Sequence, residues 1–337
     1  MTMTKMERVR AAVTGGRPDI LPYSFWSHFP GIDLDPVKQA EKTYEFYQEY
    51  DLDLVKTMNN GMYAIEDLGC KVDYSEIVQG GAAKLVYTPI QTPEDWGRVK
   101  YCSPSEGVLA RELYALQLVL EKLKGENVPV IFTIFTPITI ADKVSGKRVM
   151  ADIRDGHGDR VKEALQVITE TTADLAKTAI AMGADGVFMA SQMSTYDVMT
   201  ADLYREYGEP YDRQVLEACK GGWLNTIHAH GNNIIFEVLK DYPVNVFNWH
   251  AWETLPSLQE ARMLTGKCLM GGIIRTDITR GNRNEILDQI FKSYEIMGGR
   301  NHILTPGCVV RYPLDPEVLH FVRSAKDMVE AAFKDRR

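Results

Sequence analysis

The 337-residue sequence is short of basic charge: 38 Lys and Arg stand against 46 Asp and Glu, a formal net charge of −8. Nucleic-acid binding needs a basic face to neutralise phosphates, so this balance argues against a nucleic-acid partner. No block of Lys and Arg offsets it. Long apolar runs are missing as well. The longest, Val128 to Ala141, carries Pro137 and three threonines and is too short to span a bilayer. The N-terminus, MTMTKMERVRAAVTGG, has charges but no apolar stretch and does not read as a signal peptide. Cysteine is sparse: Cys70, Cys102, Cys219, Cys268 and Cys308 are scattered, odd in number and form no CxxC pair. That usage fits a reducing compartment. A cytoplasmic location without membrane association is the expectation.

Several catalytic signatures are also absent. There is no GxGxxG or GxxxxGK[ST] phosphate cradle. HExxH and GxSxG are missing too. No repeat of fixed period and no low-complexity segment appears.

What is present is alternation. Short runs rich in Val, Ile and Phe, bounded by Gly, Pro or Asp, predict buried parallel strands. There are eight: Ile20–Trp26, Leu52–Met58, Pro129–Thr136, Gly186–Ser191, Leu224–His230, Val244–His250, Lys267–Ile273 and His302–Cys308. Helical patterns separate them. Asp159–Met182 is the clearest, with Val161, Ala164, Leu165, Ile168, Thr172, Leu175 and Ala179 on one face and Gly183 closing it. Asn284–Met297 and Pro316–Phe333 also read as helices. Eight β-then-α units predict an α/β fold, a (β/α)8 TIM barrel forming a single domain over residues 1–337. The stretch from Asn59 to Gly125 is too long for one crossover. It reads as an insertion over a barrel face, with a hairpin around Lys71–Tyr87 and two helices.

Barrel active sites lie at the C-terminal strand ends. The sharpest signal there is His228-Ala229-His230-Gly231 at the fifth predicted strand. Residues i and i+2 of a strand point to one side, so both imidazoles can reach one metal ion. Cys308, in Pro306-Gly307-Cys308 at the eighth, can supply a third donor. Two imidazoles and a thiolate suit Zn²⁺ and leave a coordination position open. The competing reading is a pair of polar residues hydrogen-bonded in the barrel mouth, with Cys308 a small buried hydrophobe. His250, Glu253 and Asp277 are the candidate acid–base groups. His28, Asn59, Gln192, Arg275 and Arg311 are the candidates for substrate binding. Competing structural roles are a turn at Asn59-Asn60-Gly61 and an Arg275–Asp277 ion pair.

Several segments resemble, in order along nearly the whole chain, the uroporphyrinogen decarboxylase superfamily. They are Met6-Glu7-Arg8-Val9-Arg10-Ala11-Ala12 with Gly16-Arg17-Pro18-Asp19, then Phe135-Thr136-Pro137-Ile138-Thr139, then Gly183-Ala184-Asp185-Gly186-Val187. Gly271-Gly272 with Asp277 is a looser match. The resemblance implies a barrel and offers two branches. Decarboxylases of tetrapyrrole acetate groups carry an arginine pair after the first strand; here Ser24–Gly31 holds no arginine. Arginine grips carboxylates bidentately, so its absence argues against that substrate. The other branch holds zinc methyltransferases acting on a methylated corrinoid protein, with His-x-Cys at the fifth strand and Gly-Cys at the eighth. His228 and Gly307-Cys308 match that pattern, while His230 stands where the branch has its first cysteine. An imidazole in place of a thiolate makes the zinc site formally more positive by one charge, which favours an anionic substrate. The resemblance therefore implies a zinc-dependent methyltransferase of a corrinoid-linked methyl transfer or demethylation system. Its corrinoid would come on a partner protein, and a small molecule would be methyl donor or acceptor. The alternatives are a decarboxylase-like lyase on a tetrapyrrole or smaller carboxylate, and a non-catalytic tetrapyrrole- or corrinoid-binding protein.

Overall fold

The computed structural model describes residues 2–77 and 83–334. Its strands are β1 (Val55–Lys56), β2 (Lys71–Asp73), β3 (Lys84–Tyr87), β4 (Val130–Phe135), β5 (Gly186–Ser191), β6 (Thr226–Ala229), β7 (Val246–Trp249), β8 (Cys268–Ile273) and β9 (His302–Pro306). Seven of them form one curled sheet in the order β1-β4-β5-β6-β7-β8-β9, with every neighbouring pair parallel. Parallel strands need crossovers, and helices supply them on the outside. Each strand is thus covered on both faces, which explains why all six residues of Val130–Phe135 are buried and apolar or Thr.

The expected first strand is corrected. Ile20–Trp26 forms no continuous ladder; it contributes isolated parallel bridges, Tyr23 to Leu304 and, just beyond, Ser27 to Val310. Its amides are engaged elsewhere. Leu21 N–H donates to Glu330 and Tyr23 N–H to Asp53, and Pro22 between them has no N–H to give. The segment still closes the barrel. Ser24 N–H donates to Leu304 O on one side, and Ser24 Oγ–H donates to Leu54 O on the other, at 2.7 Å.

The other seven strands fall inside their predicted ranges. The Gly158–Met182 helix ends on Gly183 with φ 117°, a left-handed conformation that glycine adopts without penalty. Arg283–Met297 and Pro316–Lys334 are the other two expected helices. In the 59–125 stretch, β2 and β3 pair antiparallel, the Tyr63–Glu66 and Gly107–Lys122 helices follow expectation, and part of the expected hairpin, 78–82, lies outside the described residues. No helix among the described residues is long and apolar enough to cross a membrane.

Candidate functional site

Strand register builds the site. His228 on β6 sits directly opposite Asn248 on β7. Two residues further along, on the same side by the period of two, come His230 and His250. β9 ends at the same mouth with Gly307-Cys308. A Cβ on Gly307 would lie 2.7 Å from His250 Cα and 2.9 Å from Trp249 O, so only glycine lets the two strand ends approach this closely. The result is a group of four donors, His228, His230, His250 and Cys308, whose ligand atoms all lie within 4.8 Å of one another. Cys308 Sγ is 3.6 Å from His230 Nδ1. The expected donor set had three members; the structure adds His250, which the sequence reading had placed among the acid–base groups.

Neighbours fix which nitrogens face the centre. His228 Nδ1 is 2.5 Å from Asn248 Oδ1. The Asn248 amide cannot flip without loss, because its Nδ2 donates to Met270 O at 2.8 Å. His228 Nδ1 therefore carries the proton and Nε2 keeps its lone pair. Phe188 stacks on the other side of the ring, centroids 5.2 Å apart. His250 Nδ1 is 2.9 Å from Glu253 Oε2, and its Nε2 is buried without a hydrogen-bond partner among the described residues. Burial would raise the Cys308 thiol, but the three imidazoles of His228, His230 and His250 around it outweigh burial and hold the thiol well below its ordinary range. Burial pulls His250 down, but bonds to Cys308 and Glu253 dominate and lift it to about 9.

This donor set fits a zinc ion. Tetrahedral zinc with bonds of about 2.0–2.3 Å places its ligand atoms about 3.3–3.8 Å apart, so the observed spacing closes with a small inward shift. A buried His250 Nε2 without a partner among the described residues, a thiol held toward thiolate, and outer hydrogen bonds on two imidazoles suit such an ion, whose binding would displace the proton that His250 holds below about pH 9.

A cavity of about 450 Å³ is lined by His28, Asp33, Asn60, Lys143 and Gln192 among others, and its His28 lies within electrostatic reach of Cys308. Burial and the nearby Lys56 ammonium push His28 down to about 4, so its ring is neutral. His28 and Gln192, expected at the mouth, are there. Asn59 is corrected: it takes a bond from Thr57 Oγ1 and lines a small internal space with Gln39 and Glu112, while Asn60 faces the mouth. Consecutive residues of an extended segment point to opposite sides. Asp277 has both oxygens bound, by Asn282 and Gln289 side chains at 2.7 Å each, and lies outside the four-donor group. Arg275 has a buried Nε without a partner, and forms no ion pair with Asp277. Arg311 is exposed on the loop after β9. Sequence reasoning missed Asn248, Asp33 and Lys143. Asn248 had a signal: Asn248-x-His250 repeats the His228-x-His230 spacing on the next strand.

With fold and site in view, the comparisons can be stated. The chain belongs to the uroporphyrinogen decarboxylase (URO-D) family, whose model matches residues 5–328. It is 23% identical over 207 residues to the methylcobamide:CoM methyltransferase MtbA of Methanosarcina acetivorans, covering 61% of this chain and 60% of that protein. It is 23% identical over 228 residues to the methylated-thiol–coenzyme M methyltransferase of Methanosarcina mazei, covering 63% of this chain and 60% of that protein. The chain thus matches about 60% of the length of these curated relatives. A solved methyltransferase from Methanosarcina mazei has the same fold, with a TM-score of 0.84 at 19% identity over 97% of this chain and 99% of that one.

Proposed function

We propose that this chain is a single barrel domain that serves as the zinc-dependent methyltransferase of a corrinoid-linked methyl transfer or demethylation system. The observation that carries this reading is the gathering of His228, His230, His250 and Cys308 at one point of the barrel mouth. The names of the similar methyltransferases support the reaction class. Four donors close a tetrahedral Zn²⁺, so to act as a Lewis acid on a small acceptor such as a thiol the ion would take a fifth ligand or exchange one of the four. A partner protein would bring the corrinoid to the same mouth.

The chain's own residues then have separable tasks. Asn248 orients His228 and keeps its Nε2 lone pair inward. Glu253 accepts the Nδ1 proton of His250 and does the same for Nε2. The neutral His28 ring can accept or pass a proton at the cavity wall. The tetrapyrrole decarboxylase reading lacks its arginine pair, since the Ser24–Gly31 segment that closes the barrel has no arginine.

The test is zinc content of the purified protein together with demethylation of methylcobalamin by a thiol, followed by visible spectroscopy. Stoichiometric zinc and zinc-dependent loss of the methylcobalamin spectrum are expected. A protein that binds no zinc when supplied with it, and leaves methylcobalamin unchanged, would sink the proposal.

A further inference from the structure

The same cavity holds charged groups without a direct ion pair among the described residues, although Asp142 supports Lys143 from a distance. Lys143 lines it. Its Nζ donates to Gly61 O at 2.9 Å and stands 3.9 Å from the centroid of the Phe135 ring. No carboxylate of the described residues forms an ion pair with it. Burial pulls the ammonium down to about 8, so it remains mostly charged at neutral pH. Buried charges are ordinarily paired. A second amine, Lys56, lies deeper in the barrel, bonded to Thr133 Oγ1 at 2.8 Å and facing the Phe188 ring that stacks on His228; burial pulls it down to about 7, against the support of Cys308. His28 feels both ammonium groups.

Asp33 presents the opposite need. Its residue is only 5% exposed, it lines the same cavity, and its Oδ1 has no hydrogen-bond partner among the described residues. The nearest basic group is His28 Nδ1, 3.9 Å from Oδ2 and beyond hydrogen-bond distance. A carboxylate oxygen buried without a donor costs free energy until something donates to it. Between the two polar ends, Pro30, Met62 and Ile77 give the cavity an apolar wall.

We infer that the mouth cavity binds a small organic acid with an apolar body, its anionic group at Lys143 and a hydroxyl or amino hydrogen-bond donor at Asp33. This rests on the proposed function only in taking the mouth as the substrate site. It narrows that function by stating the chemistry of the small molecule that the mouth would take. A neutral ligand, or an acid without a second polar end, leaves one of the two buried groups unmatched.

The experiment is calorimetric binding of three matched probes to the zinc-loaded and zinc-free protein: 4-hydroxybenzoate, 4-hydroxybenzamide and benzoate. The hydroxy acid should bind about tenfold more tightly than either analogue, since each analogue strands one charged hydrogen-bonding group. Lys143→Met should weaken the acid about tenfold and leave the amide unchanged; Asp33→Ala should remove the preference for the hydroxyl. The matched probes give the answer in the unaltered protein even where a variant folds poorly. Equal binding of all three probes, no saturable binding of the hydroxy acid, or equal losses of acid and amide in Lys143→Met would overturn the inference. No methyl transfer is measured here. A protein that discriminates the probes but transfers no methyl group loses the proposed function and keeps this site; one that transfers methyl groups but does not discriminate loses only this site.

Discussion

The two sides of the barrel mouth are built on opposite principles. On the β6–β7–β9 side, the histidines with identified outer partners are satisfied: His228 by Asn248 and His250 by Glu253, with Asn248 itself anchored to Met270 O. On the cavity side, among the described residues Asp33 Oδ1 has no donor, and Lys143 is in direct contact with a carbonyl and a ring, with no ion pair. The first side is held in one geometry before anything binds. The second is left with needs that a ligand can meet. A site for a metal demands fixed geometry, whereas a site for a small molecule gains affinity by leaving buried groups for the ligand to satisfy.

The comparison breaks most visibly at Cys308. Cys308→Ser replaces the only thiolate of the donor group by a hydroxyl, a poor zinc ligand. Outer partners of zinc ligands are worth about 10–100-fold in affinity, so loss of a ligand should cost at least about 100-fold. Competition against a chromophoric chelator in dilute zinc would measure this, with circular dichroism to show that the barrel stays folded. Full zinc occupancy in the variant would remove Cys308 from the donor set.

Asn248→Ala should come next, at about 10–100-fold in zinc affinity. It leaves His228 free to rotate and strands Met270 O, so a stability loss of about 1–3 kcal/mol should accompany it. Unchanged zinc affinity alongside lowered stability would show that Asn248 serves the sheet and not the site. Gly307→Ala tests the strand approach itself. Its methyl would press on His250 Cα and Trp249 O, both backbone atoms, and such overpacking costs typically ~1–3 kcal/mol. A denaturant midpoint equal to that of the parent would mean that the β7 and β9 ends have room to spare.

The rigid side was the legible one. His228, His230 and Cys308 could be read from the sequence because strand period and barrel closure decide where they point. His250 was seen at the same strand end but given another task, since no sequence rule says how closely β7 and β9 approach; Gly307 sets that. The Ile20–Trp26 segment looked like a strand by composition. Its ladder fails because Leu21 and Tyr23 donate to Glu330 and Asp53, partners that no local pattern announces. The cavity side was legible only in part. His28 and Gln192 follow strand ends, but Asp33 and Lys143 reach the mouth from a loop and a helix, where periodicity gives no direction. Asn59 and Asn60 show the limit: one step in register decides which of two identical side chains faces the ligand.

The smallest expected effect separates the two sides by sign. Burial raises Asp33 to about 6 from its ordinary 3.8. A carboxyl whose folded pKa lies above its unfolded value contributes stability that is complete below the unfolded pKa and is lost as pH rises through the folded one. The ligand-free parent should therefore lose stability between about pH 4 and pH 6 on account of Asp33, and stay level above. The gap of about two pH units corresponds to at most ~3 kcal/mol. Asp33→Asn cannot ionise, so it should match the parent near pH 3.5 and exceed it by up to that amount at pH 7.5. Zinc affinity should not move, because Asp33 touches none of the four donors. Urea denaturation of both proteins at the two pH values decides the matter. A variant less stable than the parent at pH 7.5 would mean that Asp33 is satisfied by the protein after all, and that the cavity side is built on the same principle as the metal side.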